Sequence, residues 1–316
     1  MELARRMREI SLEEARASFE ELVAVGCEGK VPALSRIGLK TLDYFFLGHR
    51  LKAKTKRHIS FADAMKDRKI VTYLNEKIRQ IKANPDKIFS NRDELLRQQY
   101  SVFQLYYGTI NQFRPTEALR VYCTLKPKVG ILDISAGWGG RCLGAMALGI
   151  PYVGIDANDK LEPAYKAMKA AVAPDARVKM VFKPSETVDF SKFDYDLVFT
   201  SPPYFMLEEY EGMPAYTGDE GFMEEFFRPV IEKAWQHLRV GGYLALNMPE
   251  AMYKGIRHCL PALDRKIKLP ISNRHPTNAA VGRAIGTEGA RHEYTYVWKK
   301  GGRGSVSCRK TRKTST

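Results

Sequence analysis

The chain has 316 residues, 44% of them hydrophobic and 28% charged, a balance typical of a globular protein rather than a disordered or fibrous one. No apolar run has the length of a membrane span, and no apolar core follows Met1 as in a signal peptide. We therefore expect an intracellular protein, in the cytoplasm or with DNA in a nucleus or nucleoid, that is neither secreted nor inserted in a membrane.

The net charge of +15 is concentrated at the two ends of the chain. Residues 1–115 carry 22 Lys and Arg against 14 Asp and Glu, and residues 301–316 carry 5 against 0. Residues 116–300 are nearly balanced, with 24 against 22. This distribution favours a polyanion-binding periphery around a catalytic core, and plain solubility is the alternative.

The cysteines and histidines predict neither a disulfide framework nor a metal site. None of the five cysteines forms a C-x-x-C pair, and the six histidines show no metal-ligand spacing. A reducing compartment is the simplest interpretation. The cysteines are Cys27, Cys123, Cys142, Cys259 and Cys308.

Residues 1–110 are predicted to form a helical, basic N-terminal subdomain. Helices are expected over 1–25, over Phe61–Lys82 and after Asn91, each with an apolar face at helical spacing. A basic run from His49 to His58 would contact phosphates, although a solvated surface segment would look the same. Its candidate nucleic-acid-binding residues are Arg50, Lys52, Lys54, Lys56 and Arg57.

From residue 111 to residue 300 short β-prone runs alternate with helical patterns. This alternation predicts an α/β fold with a doubly wound, mostly parallel, seven-stranded Rossmann-like sheet. The Gly, Ser, Thr and basic composition of residues 301–316 predicts a disordered tail. The predicted strands are Gly130–Ile134, Tyr152–Ile155, Val178–Phe182, Asp196–Thr200, Tyr243–Asn247, Ile267–Ile271 and Tyr294–Trp298.

The first two strands of this sheet end in residues suited to a nucleoside with a charged tail. Asp133 is followed by a glycine-rich turn containing Gly137 and Gly139, and in such sheets ligands lie at the carboxyl ends of the strands. The spacing D-x-x-x-G-x-G misses the dinucleotide fingerprint, whose third glycine falls on Cys142. Asp156 ends the second strand, where a carboxylate can accept both hydroxyls of a ribose.

A third strand ends in Ser201-Pro202-Pro203-Tyr204. The two prolines fix φ and remove two N–H donors, so carbonyl acceptors stand beside an aromatic ring. Such a turn suits a planar group that bears an amino donor, such as a nucleobase; an ordinary Pro-Pro loop is the alternative.

Together these segments resemble class I S-adenosylmethionine-dependent methyltransferases, over residues of about 110 to 300. Asp133 to Gly139 resembles their motif I, and Asp156 resembles their ribose-binding acid. Ser201-Pro202-Pro203-Tyr204 resembles motif IV of the enzymes that methylate exocyclic amino groups of bases. The segment Gly137-Trp138-Gly139-Gly140-Arg141 also resembles DNA methyltransferases of large DNA viruses.

The resemblance implies S-adenosylmethionine as cofactor and DNA as partner, with methyl transfer to cytosine N4 favoured over adenine N6 because the motif begins with Ser201. Asp133 would accept from the cofactor's ammonium group, directly or through water, and Tyr204 would stack on a flipped base. The implied catalytic residues are Ser201, Pro202, Pro203 and Tyr204. The implied cofactor-binding residues are Phe113, Arg114, Asp133, Ser135, Ala136, Gly137, Gly139, Asp156, Ala157, Ser185 and Glu186.

Two further segments are expected to face the substrate. Residues 205–216, aromatic and acidic, are predicted to form a lid or substrate loop, with an ordinary surface excursion as the alternative. Residues 272–292 are glycine-rich and are predicted to contact nucleic acid through Arg274, Arg283 and Arg291, with a flexible connector as the alternative. No Pro-Cys dipeptide occurs, which disfavours a cysteine nucleophile.

Two other functions fit the same residues. An RNA or tRNA base methyltransferase would use the same core, and its basic N-terminal part would grip folded RNA by shape. A non-catalytic nucleic-acid-binding relative is disfavoured because the cofactor residues and the whole Ser-Pro-Pro-Tyr motif occur together. The sequence leaves the oligomeric state, the recognition site and the biological role open.

Overall fold

A seven-stranded, mostly parallel sheet forms the centre of the protein in a computed structural model, which describes residues 2–29, 32, 34–55, 57–82, 84–204, 208–209, 214–270, 292–302 and 306. The strand order is β4-β3-β2-β5-β7-β9-β8, in which β9 runs antiparallel to both of its neighbours. The doubly wound, Rossmann-like sheet predicted from the sequence is confirmed. The strands of this sheet are β2 (Ile131–Asp133), β3 (Tyr152–Asp156), β4 (Val178–Phe182), β5 (Leu197–Thr200), β7 (Tyr243–Met248), β8 (Arg265–Pro270) and β9 (His292–Lys299).

The helical N-terminal region is also present. Its helices are α1 (Glu2–Met7), α2 (Leu12–Val25), α3 (Leu39–Arg50), α4 (Phe61–Ala64), α5 (Arg68–Ile81), α6 (Pro85–Phe89) and α7 (Arg92–Tyr107). A short strand, β1 (Lys54–Thr55), pairs antiparallel with β6 (Glu208–Glu209). Two of the predicted helices are interrupted, because Ser11 caps α2 and Asp67 caps α5 with side-chain hydrogen bonds to the first helical turn.

Helices cover both faces of the sheet. One face packs against α8 (Pro115–Leu125), α9 (Gly140–Ala147) and α10 (Glu162–Val172) through residues such as Tyr122 and Leu143. The other face packs against α12 (Arg228–His237) and α13 (Glu250–Ile256) through residues such as Trp235. A short helix α11 (Gly218–Gly221) and a π-helical turn at Phe222–Phe227 lead directly into α12. Both faces are therefore dry, as a parallel sheet requires.

The N-terminal helices divide between two apolar clusters. Phe19 of α2 and Phe46 of α3 pack in the same cluster as the sheet and its first layer of helices. Leu47, on the next face of α3, packs instead with Leu74 of α5 and Phe103 of α7. Helix α3 thus joins the N-terminal helices to the sheet, and the boundary near residue 110 stays a prediction.

The cysteine prediction is wrong in one respect. Cys27 and Cys123 form a disulfide across a sequence separation of 96 residues. Local spacing could not reveal this pair, because the fold brings the segment after α2 to α8. The disulfide removes one support for the expected reducing compartment, since such bonds persist in oxidising surroundings.

Within the described residues no helix is long and apolar enough to cross a membrane. In the same part of the chain no group of three or more His, Cys, Asp or Glu side chains could hold a metal ion. Of the predicted tail, the structure describes only residues 301, 302 and 306.

Candidate functional site

The candidate site lies where the winding of the sheet reverses. The chain runs outward from β2 through β3 to β4, and then returns to place β5 on the other side of β2. At such a switch point the loops after neighbouring strands diverge and leave a crevice for a ligand. The glycine-rich turn follows β2 and the Ser-Pro-Pro-Tyr turn follows β5. A hydrogen bond of 2.8 Å between the Ser135 and Thr200 hydroxyls links the two turns.

The glycines of the first turn are required by its backbone and its neighbours. Gly137 and Gly139 have φ of +59° and +76°, a region that disfavours side chains. A Cβ on Gly139 would lie 2.9 Å from the Phe46 ring, and one on Gly140 would lie 2.0 Å from the Phe113 carbonyl oxygen. The turn is therefore shaped by Phe46 of the N-terminal region and by Phe113, as well as by its own sequence.

Asp156 holds this turn from the end of β3. Its carboxylate accepts from the Gly137 N–H at 2.7 Å and from the Asn158 N–H at 2.9 Å. Tyr165 of α10 donates to the Gly137 carbonyl at 2.9 Å. Burial raises the pKa of Asp156 to about 6, and the two backbone N–H donors oppose that shift.

The structure changes the role expected of Asp133. This carboxylate is fully buried and accepts from Arg141 Nε at 2.7 Å and from the Tyr152 hydroxyl at 2.5 Å. Arg141 Nη2 and the Ser135 N–H both approach its other oxygen at 3.3 Å. Four donors thus occupy the carboxylate, so direct acceptance from an ammonium group is corrected to a positioning role. Arg141 also donates to the Ser135 carbonyl, which fixes the turn.

The first turn of α8 carries buried polar atoms that make no hydrogen bond of normal geometry. Thr116 Oγ1 and both carboxylate oxygens of Glu117 make no hydrogen bond among the described residues. Glu117 Oε2 lies 3.1 Å from Arg120 Nε, outside hydrogen-bond geometry, and burial raises the pKa of Glu117. Phe113, two residues before α8, packs edge-to-face on Phe199. Unsatisfied buried acceptors are uncommon, and here they adjoin the predicted cofactor segment.

A second polar group surrounds the Ser-Pro-Pro-Tyr turn. The Tyr204 hydroxyl donates to Asn247 Oδ1 at 3.0 Å, and Ser201 Oγ donates to the same oxygen at 3.3 Å. The two hydroxyls lie 3.3 Å apart. Tyr204 also interacts with the carboxyl of Glu293, whose pKa burial raises. No hydrogen bond from a described residue reaches the Pro202 carbonyl.

The remaining predicted cofactor residues follow β2, β3 and β4 or precede α8, and they differ in their contacts. Ala136 is buried and its N–H donates to the Ile155 carbonyl, while Ala157 is half-buried. The Ser185 hydroxyl donates to the Ile134 carbonyl, so it stabilises the fold around the turn. Glu186 accepts from the Tyr216 hydroxyl at 2.9 Å. Arg114 is half-buried immediately before α8.

The basic run is only partly available to a polyanion. Arg50 is 9% exposed and donates to Asp43 at 3.0 Å and to Gln112, so its predicted phosphate contact is corrected to a structural role. Lys52, Lys54 and Arg57 are exposed. Backbone pairing of β1 with β6 brings this run to the segment that follows the Ser-Pro-Pro-Tyr turn. Lys56, Arg274, Arg283 and Arg291 lie outside the described residues, as does most of the predicted lid.

Sequence reasoning missed several residues of the site. Arg141 and Tyr152 pair with Asp133, and Asn247 and Glu293 bond the Ser-Pro-Pro-Tyr turn. Asn247 could have been found, because it lies at the carboxyl end of a predicted strand beside Thr200. Glu293 carries no local signal, since it reaches the site only through antiparallel pairing of β9 with β7.

No family model matches this chain, and no curated protein matches it significantly. Among solved structures it is similar to TrmN from Thermus thermophilus, with 14% identity, 90% of this chain and 96% of that chain covered, and a TM-score of 0.43. TehB from Haemophilus influenzae shares 14% identity over 63% of this chain and 66% of its own, just under two thirds, with a TM-score of 0.39.

The CcbJ methyltransferase from Streptomyces caelestis shares 16% identity over 50% of this chain and 56% of its own, with a TM-score of 0.33. Because these identities and TM-scores are low, the fold is assigned from the strand order, and the function is inferred from the site itself.

Proposed function

We propose that this chain transfers a methyl group from S-adenosylmethionine to the exocyclic amino group of a base in DNA, with cytosine N4 favoured over adenine N6. The observation that carries the proposal is the adjacency of two turns. The glycine-rich turn after β2 and the Ser-Pro-Pro-Tyr turn after β5 follow neighbouring strands at the switch point and share the Ser135–Thr200 hydrogen bond.

The residues of the first turn fit the cofactor. Asp156 would accept the ribose hydroxyls, and Thr116 Oγ1 and the Glu117 carboxylate, which make no hydrogen bond of normal geometry, would offer acceptors to the amino-acid part. Ala136, Gly137 and Gly139 would line the cofactor through backbone, with Phe113, Arg114, Ala157, Ser185 and Glu186 around them. The cofactor supplies a methyl group already activated on a sulfonium, so the protein contributes mostly alignment.

The second turn fits an aromatic amine. Such an amine is a poor nucleophile, because its lone pair is delocalised into the ring. Ser201 Oγ and the Pro202 carbonyl would accept its protons and favour a tetrahedral nitrogen, while the Tyr204 ring would stack on the base. The alternative substrate, a base in RNA or tRNA, would use the same contacts, and the basic surface favours neither polymer.

The test incubates the protein with methyl-labelled S-adenosylmethionine and either DNA or RNA, followed by mass spectrometry of the released nucleosides. Label on cytosine N4 or adenine N6 of DNA is expected. Label in neither polymer would contradict the enzyme, and label in RNA alone would contradict the DNA assignment.

Two substitutions test the assigned roles in the same assay. Tyr204→Ala should lower turnover by about a hundredfold with little change in cofactor Kd, because it removes the stacking surface. Asp156→Ala should weaken cofactor binding with little change in turnover. Tyr44→Ala, at a tyrosine that is 42% exposed on α3, is the matched control and should change neither quantity. Equal effects of the first two substitutions on cofactor binding would argue against these roles.

A further inference from the structure

Four polar side chains from three parts of the chain meet at the Ser-Pro-Pro-Tyr turn. Ser201 and Tyr204 come from the turn itself, Asn247 from the end of β7 and Glu293 from the start of β9. Asn247 Oδ1 accepts from both hydroxyls, at 3.3 and 3.0 Å, and the hydroxyls lie 3.3 Å from each other. Glu293 interacts with the Tyr204 hydroxyl and with the Asn247 amide. The hydroxyls therefore connect the turn to a carboxyl group.

This carboxyl group is unusual in its surroundings. Asn247 is fully buried, and Glu293 is half-buried. No ion pair to Glu293 occurs among the described residues. Asn247 Nδ2 and Thr295 Oγ1, which face each other across β7 and β9, also make no hydrogen bond of normal geometry in this part of the chain. Buried polar groups that lack hydrogen-bond partners reduce the stability of the fold, and they recur at functional sites.

We propose that Glu293 is the final acceptor of the proton that methylation of the amine releases, and that the Ser201 and Tyr204 hydroxyls carry the proton to it. Asn247 is a positioning residue in this relay, because its Oδ1 holds both hydroxyls in place. The inference rests on the proposed amine methylation and adds a route for the proton.

The relay balances the reaction. The amine nitrogen forms a bond to the methyl carbon as the carbon–sulfur bond breaks, and the electron pair of that bond stays on sulfur. The nitrogen then carries one excess proton. That proton passes to Ser201 Oγ as the Ser201 hydroxyl turns from Asn247 Oδ1 and gives its own proton to Tyr204. The Tyr204 hydroxyl turns in the same way and gives its proton to the Glu293 carboxylate. Each hydroxyl ends with one proton, and only Glu293 gains one.

The ionisation of the two end groups suits this direction of transfer. Burial raises the pKa of Glu293 and makes its carboxylate a stronger base than an exposed one. Burial and then the charge of Glu293 raise the pKa of Tyr204, so the phenol stays protonated and relays a proton. A cavity of about 190 Å³ adjoins Glu293, and Glu250 of α13 and Lys266 of β8 are the other charged groups that line it.

The test measures the rate of a single methyl transfer as a function of pH. The wild-type rate should rise with pH to a plateau, with the midpoint at the pKa of Glu293. Glu293→Gln keeps the shape of the side chain, and it should abolish this rise and lower the plateau by about a hundredfold. Tyr204→Phe, which removes only the hydroxyl, should lower the plateau similarly. The cofactor Kd should be unchanged in both variants, which shows that they fold.

A second measurement does not depend on turnover. The infrared carboxyl bands of ¹³C-glutamate-labelled protein should contain a component that titrates above the usual range and disappears in Glu293→Gln. Glu250→Gln is the matched control, because Glu250 lines the same cavity but is exposed and pairs with Lys254. It should retain the wild-type pH profile and the titrating band.

The outcomes separate the two proposals. No methyl transfer by the wild-type protein would overturn the proposed function and the relay with it. Transfer by the wild type with the same rate and pH profile in Glu293→Gln would overturn the relay and leave the proposed function standing. Loss of the pH-dependent rise in Glu250→Gln rather than in Glu293→Gln would show that Glu250 takes up the proton, and it would overturn the relay to Glu293.

Discussion

The two acids that end β2 and β3 look equivalent in sequence but differ in the folded protein. Asp133 is fully buried and saturated by Arg141, Tyr152 and the Ser135 N–H, whereas Asp156 is half-buried and bonds only two backbone N–H groups. Removing Arg141 would leave a buried charge without its partner, which in proteins costs about 3 to 5 kcal/mol. Asp156 keeps the capacity to accept a ligand. Both acids hold the turn, and only Asp156 keeps acceptor capacity for the ligand contact proposed above.

Asp156 gives the cofactor site a predicted pH dependence. Because burial raises its pKa to about 6, the carboxyl group is ionised above that pH and protonated below it. Only the carboxylate accepts both ribose hydroxyls, so cofactor affinity should fall by about tenfold between pH 7 and pH 5. Calorimetry across this range measures it. Asp156→Asn should bind weakly and with no pH dependence, and Asp194→Asn, at an exposed ion pair with Arg239, should behave as wild type. A flat wild-type profile would contradict the role of Asp156.

For individual site residues, the sequence predicted their positions in the fold better than it predicted their tertiary contacts. The positions of Asp156, Ser201 and Tyr204 at strand ends followed from β-prone runs and proline chemistry. The pairing of Asp133 with Arg141, and of Tyr204 with Glu293, depends on how α9 and β9 pack. Spacing along the chain contains no information on such tertiary pairs.

Among the elements, the strands were predictable and the N-terminal helices less so. Each of the seven strands was placed within two residues of its observed ends, because short apolar runs between glycine and proline turns leave little freedom. The expected single helix over 1–25 is two helices, α1 and α2. The capping box that Ser11 forms with Glu14 starts a new helix at α2, so the helical pattern of residues 1–25 is divided there.

The packing of α3 on the glycine-rich turn makes a prediction about two glycines. Gly139 and Gly149 both have positive φ, but only Gly139 has a neighbour, the Phe46 ring, where a Cβ would lie. Gly149→Ala should destabilise by about 1 to 2 kcal/mol through backbone strain alone. Gly139→Ala should cost about 1 to 3 kcal/mol more through the clash, and should also weaken cofactor binding. Urea denaturation and calorimetry measure the two effects. Equal losses of stability would show that Phe46 does not constrain the turn.

For the whole molecule, the position of the basic N-terminal region matters more than its charge. Helix α3 packs on the sheet through Phe46, and β1 pairs with β6 just after the Ser-Pro-Pro-Tyr turn. These two attachments place the exposed cations of the basic run beside the candidate site. The net charge alone predicted a polyanion partner but could not predict this placement, which depends on long-range pairing.

This placement predicts how nucleic-acid binding depends on salt. Each phosphate contact that is lost should reduce the slope of log K against log salt by about 1. Lys52→Ala and Arg57→Ala should each do so, and should weaken binding to unrelated sequences equally, since phosphate contacts carry no sequence information. Fluorescence anisotropy over a salt series measures the slope. Lys192→Ala removes an exposed cation that lies between β4 and β5 and pairs with Asp189, and it should leave the slope unchanged. An unchanged slope in the first two variants would mean that the polyanion binds elsewhere on the protein.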